Sequence, residues 1–226
     1  MFVKLNCEKH LRKPANPCYN TPMTLHTTFQ PLEDSLRARG FCSICGADEA
    51  GRGPLAGDVF AAAVILPEQY DLPNLNDSKK LSPKKREVLF EQIQQQAVAW
   101  AIASASVAEI EQLNILQAAL LAMQRAIEAL AKPADYALID GNKAPVLAIA
   151  CEAVVRGDSL CASIAAASIL AKVARDREME FLDARYPGYG FAQHKGYGTK
   201  MHYAALAQLG PCEIHRRSFL GRVAVQ

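Results

Sequence analysis

Asp48-Glu49-Ala50-Gly51-Arg52-Gly53 places two adjacent carboxylates beside a glycine–arginine–glycine turn. The segment that follows, Asp58 to Leu66, reads as a strand carrying Val59, Phe60, Val64 and Ile65. Two more acids, Asp140 and Asp158, stand far downstream, each at the end of an apolar run. Carboxylates gathered from distant segments are a means of holding hard divalent cations. An arginine beside them offers a planar fork for phosphate. The combination points to metal-dependent attack on a phosphodiester.

The rest of the chain supports a large α/β domain. Its 226 residues are half hydrophobic, enough for a full core. The formal charge of +2 excludes a polycation, yet from Cys161 to Gln226 nine Lys or Arg face five Asp or Glu. A mildly basic tail beside acidic metal ligands suits a polyanionic substrate. Seven cysteines, at 7, 18, 42, 45, 151, 161 and 212, are too sparse for a disulfide-stapled scaffold. Cys42 and Cys45 have metal or redox spacing, but no second pair completes a zinc site; they read as buried or incidental thiols. No run of eighteen apolar residues and no signal-peptide pattern is present, which predicts a cytoplasmic protein without a membrane span.

Residues 1–31 show no helical or strand period and are interrupted by Pro14, Pro17, Pro22 and Pro31. Residues 1–40 are expected to form a flexible extension, and residues 41–226 the catalytic domain. Met23 is a candidate start site, because no core-forming pattern precedes it. Beyond the first strand, Ser82-Pro83 gives an N-cap and first helical position for a helix to about Gln96. Trp100 to Val107 reads as a strand. Leu113, Leu116, Leu120, Met123, Ile127 and Leu130 predict one long amphipathic helix. Short strands are expected at Tyr136–Ile139 and Ala153–Val155. A second long helix is expected from about Ser159 to Leu182, stopped by Tyr186-Pro187-Gly188, and Thr199 is set to cap a last helix through Leu209. This order describes an α/β core with a helical C-terminal region.

Each chemical reading has a plainer competitor. Asp48 and Glu49 can serve a turn, and Asp158 can cap the helix that follows it. Asp140 has no obvious helix to cap, which favours the joint metal reading for all four acids. Gly51-Arg52-Gly53 allows backbone amides and a guanidinium to approach a nucleotide, although two glycines also suit any tight turn. Phosphate-binding and dinucleotide-binding glycine fingerprints are absent. Lys79 and Lys80 precede a helix N-terminus, where a solvated pair is equally common. His194-Lys195-Gly196-Tyr197-Gly198-Thr199-Lys200 combines cations with an aromatic ring able to stack on a base or sugar, or is a polar loop with a helix cap. His215-Arg216-Arg217-Ser218 reads as ordinary basic surface. No hydrolase triad or zinc-protease motif emerges. A two-carboxylate glycosidase, a small-ester phosphatase and a non-enzymatic nucleic-acid-binding module stay open at this level.

The chain resembles the bacterial ribonuclease HII family. The likeness is carried by residues 48–57 (DEAGRGPLAG), 77–81 (DSKKL), 139–141 (IDG), Gly157-Asp158, 163–173 (SIAAASILAKV) and 194–199 (HKGYGT). It implies an RNase H-like mixed β-sheet flanked by helices, with a helical C-terminal region. It also implies endonucleolytic hydrolysis of the RNA strand of RNA–DNA hybrids, and incision 5′ of single ribonucleotides embedded in duplex DNA. By the resemblance, Asp48, Glu49, Asp140 and Asp158 are the catalytic, metal-binding acids for Mg²⁺ or Mn²⁺, with two ions in the substrate complex. In the general two-metal scheme the ends are 5′-phosphate and 3′-hydroxyl. Gly51, Arg52 and Gly53 read the 2′-hydroxyl and adjoining phosphates, Tyr197 packs on the sugar at the junction, and Lys79 and Lys172 contact phosphate or the active site. A monomer with no membrane partner is expected. The family's first block usually has Val or Ile where this chain has Ala47, and the N-terminal extension is longer than is typical.

Overall fold

In a computed structural model, Phe29 and residues 32–221 are described. The expectations for Met23 and the proline-interrupted tract lie outside these residues. The first element is helix α1 (Leu32–Ala38). It packs on the domain, with Leu36 buried in a cluster with Ile44, Tyr136, Leu138 and Ile164. The segment 32–40 of the expected flexible extension is therefore folded against the core.

Three antiparallel strands, β1 (Ile44–Ala50), β2 (Val59–Ile65) and β3 (Ala99–Ala105), form a meander. Strands β4 (Tyr136–Asp140) and β5 (Ala150–Val154) join in parallel beside β1, giving the order β3-β2-β1-β4-β5. Strand β1 is central, and its sequence Ile-Cys-Gly-Ala-Asp-Glu-Ala does not alternate. Small residues are required there. A Cβ on Gly46 would lie 2.3 Å from the backbone of Ser163 and Ile164, so helix α6 (Ala162–Arg185) lies directly on the strand.

One face of the sheet is covered by α6, with its buried Ala165, Ala166, Ala167 and Ala171, and by α2 (Pro83–Gln96). Ser82 caps α2 by accepting the Lys85 amide, as its Ser-Pro start predicts. The other face is covered by α4 (Ile115–Glu128) through Ala118, Ala119, Ala122, Met123, Ala126 and Ile127. The single long helix expected here is two. Asn114, at φ 70°, ends α3 (Val107–Leu113) and caps α4 by accepting the Leu116 and Gln117 amides. Leu113 is exposed as a result, and alanines rather than leucines form most of the buried stripe.

The expected second long helix is also interrupted. A four-residue turn, α5 (Gly157–Leu160), is separated from α6 by the extended Cys161. Glu33 from α1 caps α6, its Oε1 accepting the Ser163 amide at 3.1 Å and the Ser163 hydroxyl at 3.0 Å. Beyond α6, the helices α7 (Phe191–His194), α8 (Lys200–Leu209) and α9 (Arg217–Leu220) form the C-terminal region. They share a satellite core with Leu55, Ala56, Met179 and Leu182. This is the mixed sheet with flanking helices that the family resemblance implies, and it agrees with the α/β core read from the element order. Among the described residues no helix is long and apolar enough to cross a membrane.

Candidate active site

The C-terminal ends of the parallel strands bring the four acids to one edge. Ala47 pairs with Ile139 in register, so Asp48 and Asp140 come next on their strands and on the same face. Asp158 stands on α5, which follows β5. Asp48 and Asp158 are buried. Burial, Glu49 and Asp140 hold the Asp48 carboxyl well above the usual carboxylate range. Glu49 is raised mainly by burial, against the pull of Arg52. Asp140 is raised by burial and then by Asp158. Asp48, Glu49 and Asp140 are thus raised together, with Asp158 beside them, because burial and mutual repulsion outweigh the pull of Arg52 and Lys79.

Each carboxylate has its own protein partner. Asp48 Oδ1 accepts the Glu49 amide at 2.7 Å. Glu49 Oε1 accepts Arg52 Nη1 at 3.3 Å. Asp140 Oδ1 accepts the amides of Gly157 at 2.7 Å and Asp158 at 3.4 Å. Asp158 Oδ2 accepts Lys79 Nζ at 3.4 Å. The plainer alternative for Asp158 does not hold, since it caps no helix, whereas Asp140, for which no helix is evident in the sequence, holds the start of α5. Among the described residues no three His, Cys, Asp or Glu side chains stand in preformed ligand geometry. The donor set nevertheless fits a hard divalent ion, because every group is a carboxylate and their charges repel. The Arg52 and Lys79 side chains are half and 79% exposed, respectively, so both can swing off the acids.

A cleft of about 830 Å³ opens beside Asp140 and Asp158 and is lined by Asp77, Lys79, Lys80 and Arg156 as well. Asp77 shapes its rim by capping the Ser78–Lys80 turn through the Lys79 amide. Lys172 lies apart from the acids in its pairing: its Nζ donates to Asp176 at 2.7 Å, and burial pushes its pKa down.

The Gly51–Gly53 turn and Tyr197 meet although 144 residues separate Gly53 from Tyr197. A Cβ on Gly53 would lie 3.5 Å from the Tyr197 ring. Tyr197 is 44% exposed and faces outward. Gly51 has φ +102°, and a Cβ there would lie 2.1 Å from Arg175 Nε. Glycine is required on both counts.

Sequence reasoning passed over several residues at this site. The segment read as basic surface is split: His215 and Arg216 are buried, Arg217 and Ser218 exposed. Burial and the nearby Arg175 charge push Arg216 down to about 9. Arg175 carried a legible signal, since Ala171, Arg175, Met179 and Leu182 form one buried stripe at helical spacing. Below Tyr197, His202 Nδ1 donates to the Tyr197 carbonyl at 3.0 Å, and His215 Nε2 donates to His202 Nε2 at 3.0 Å. The Cys212 amide donates to His215 Nδ1 at 3.0 Å, which fixes that tautomer. Cys42 and Cys45 form no site: Cys42 is exposed and Cys45 lies in the core, its thiol pushed up to about 12 by burial.

Comparison with known proteins adds a family to this geometry. Residues 45–221 match the family described as Ribonuclease HII. A ribonuclease HII of Syntrophotalea carbinolica is 57% identical over 84% of this chain and 91% of its own length. One from Dechloromonas aromatica is 61% identical over 81% and 93%. The crystal structure of ribonuclease H2 from Pyrococcus horikoshii OT3 has the same fold, with a TM-score of 0.67 at 24% identity, over 81% of this chain and 97% of that one.

Proposed function

The chain belongs to the ribonuclease HII family of metal-dependent ribonuclease H endonucleases, and from that premise we propose which residues do the work and on what substrate. Asp48, Glu49, Asp140 and Asp158 hold Mg²⁺ or Mn²⁺, with two ions when substrate is bound. When bound, such ions lower the pKa of water and stabilise charge on phosphoryl oxygens. The substrate is an RNA–DNA hybrid, or duplex DNA with a single embedded ribonucleotide that is incised on its 5′ side. The products carry 5′-phosphate and 3′-hydroxyl ends. The protein works as a cytoplasmic monomer.

The chain's own groups divide the task. Asp140 orients Asp158 through the α5 amides while presenting its second oxygen to the site. Lys79, whose ammonium is tethered to Asp158, is placed to meet a phosphate oxygen once the acids are neutralised. Gly51, Arg52 and Gly53 approach the ribose 2′-hydroxyl and adjoining phosphates. Tyr197 lies flat against the sugar of the next nucleotide, and Lys172 contributes a more remote phosphate contact. Selection rests on the 2′-hydroxyl rather than on base edges.

The observation that carries this reading is the closeness of Gly53 and Tyr197, an aromatic ring at a glycine turn directly after two of the acids. A labelled duplex containing one ribonucleotide, incubated with Mg²⁺ and with or without chelator, tests it. Metal-dependent incision 5′ of the ribonucleotide is expected. Products ending in 2′,3′-cyclic phosphate, or no cleavage with metal present, would refute it.

A further inference from the structure

Two guanidinium groups lie beneath the Gly51–Gly53 turn with no carboxylate in ion-pair contact among the described residues, although Asp58 attracts both at longer range. Arg175 is 1% exposed and Arg216 0%, and none of the ion pairs among the described residues includes either. Removing an unpaired charge from water is costly. What these charges meet instead is main chain. Arg216 donates from Nε to the Gly57 carbonyl at 2.8 Å, and from Nη1 to those of Arg52 at 3.1 Å and Pro54 at 2.9 Å. Its Nη2 donates to the Gly51 carbonyl at 2.7 Å. Arg175 donates to Lys195 O at 3.0 Å and to Ala56 O at 3.3 Å.

The consequence is directional. In a trans peptide the amide points opposite to the carbonyl before it. Drawing the Gly51 and Arg52 carbonyls inward turns the Arg52 and Gly53 amides away from the interior. Arg175 also joins the turn to the segment that leads into Tyr197, and its guanidinium carbon lies 5.9 Å from the centre of that ring. Backbone bonds complete the junction: Leu55 N to Gly196 O at 2.8 Å, Gly57 N to Ile214 O at 2.9 Å and Arg216 N to Leu55 O at 2.8 Å. Lysine has no planar fork and cannot reproduce four carbonyl bonds from one side chain.

We infer that Arg175 and Arg216 are positioning residues for ribonucleotide recognition, locking the 51–57 turn and the 195–197 turn into one rigid reader of the sugar–phosphate. The inference rests on the proposed contacts of Gly51–Gly53 and Tyr197 with the ribonucleotide. The guanidiniums act through carbonyls and touch no substrate themselves. Removing one leaves the four acids in place and misaligns the reader.

Steady-state cleavage of duplex DNA containing one ribonucleotide, by the full-length protein with Mg²⁺, tests this. Arg216→Lys and Arg175→Lys, with circular dichroism confirming their fold, are expected to lower kcat/KM roughly tenfold or more, chiefly through KM. Amide hydrogen exchange should quicken in residues 51–57 and 195–198 and stay unchanged in β1 and α4. For Arg216→Ala, added methylguanidinium should lower KM while methylammonium does not. Wild-type KM in both folded lysine variants overturns the inference. So does failure of both to fold, which would make the guanidiniums determinants of folding alone. Arg52→Ala and Tyr197→Ala, assayed in parallel, separate the two levels. If both keep wild-type KM, the reader itself is refuted; if they raise KM and the lysine variants do not, only the lock is.

Discussion

The carboxylate of Asp140 accepts the backbone amide of Gly157 at 2.7 Å, so one acid of the cluster holds the turn that presents another. Asparagine can keep that bond through its side-chain oxygen while losing the negative charge. Asp140→Asn should therefore retain the fold and most hybrid binding, since phosphate contacts come from basic and backbone groups. Turnover should fall at least about a hundredfold, more than the loss typical of changing a residue that only supports a ligand. Single-turnover cleavage beside an equilibrium binding assay checks both; parallel losses of binding and turnover would refute the division.

Asp48 gives the opposite sign for stability. Its carboxyl is buried among Glu49 and Asp140, and its one bond, to the Glu49 amide, is available to asparagine. In chelator, Asp48→Asn should melt higher than wild type, by about 2–4 °C for each kcal/mol of repulsion removed. Divalent metal should raise the wild-type melting temperature and leave the variant nearly unmoved. A variant less stable than wild type in chelator would contradict this.

Tyr197→Ala tests substrate choice. The ring stands at the edge of the turn and holds no part of the core. Its loss should weaken cleavage at an isolated ribonucleotide by about tenfold, within the value of one stacking contact. Cleavage of a uniform RNA–DNA hybrid should suffer less. Initial rates on both duplexes at the same salt and metal decide it: equal fractional losses would point to general loss of loop structure.

Much of this site was legible in sequence, and what was not shares a cause. Ser82-Pro83 announces α2 because capping is local chemistry. β1 was passed over as a strand because it must accept α6 at backbone distance, so Gly46 and Ala47 replace the branched residues that mark strands. The break at Asn114 was missed because leucine spacing runs unbroken through it, although the side chain caps the next helix. The acids stood out because Asp48 and Glu49 adjoin the Gly51-Arg52-Gly53 turn and Asp140 and Asp158 each end an apolar run. Arg216 read as surface because its four acceptors are carbonyls some 160 residues earlier in the chain, and main-chain acceptors leave no mark in sequence.

The buried histidines give a pH dependence. His215 is pushed down to about 4, first by burial and then by His202, with His194 and Arg217 adding to it. Tyr189 and Phe191 pack on its ring, and Cys212 faces Nδ1. The unfolded chain protonates this group near its ordinary value of 6.5, so between pH 6.5 and 4 it binds more protons than the folded chain. Stability is therefore full above that window and falls with pH through it, by roughly 3 kcal/mol from this group. Denaturant unfolding across the window should show a shallower fall in His215→Phe than in wild type. Identical slopes would mean that His215 is not the source.

Strand β1 is complete at Ala50, yet its parallel neighbour ends at Asp140 and its covering helix at Arg185. During vectorial synthesis at about 5–20 residues per second, the central strand waits on the order of ten seconds for its cover. Through that interval the face of β1 that carries Gly46 and Ala50 lacks its α6 cover. The active-site edge cannot close before α5 and α6 have left the ribosome. On the proposed assignment, a nascent or truncated chain that ends before Asp158 carries Asp48 and Glu49 without the rest of the metal site.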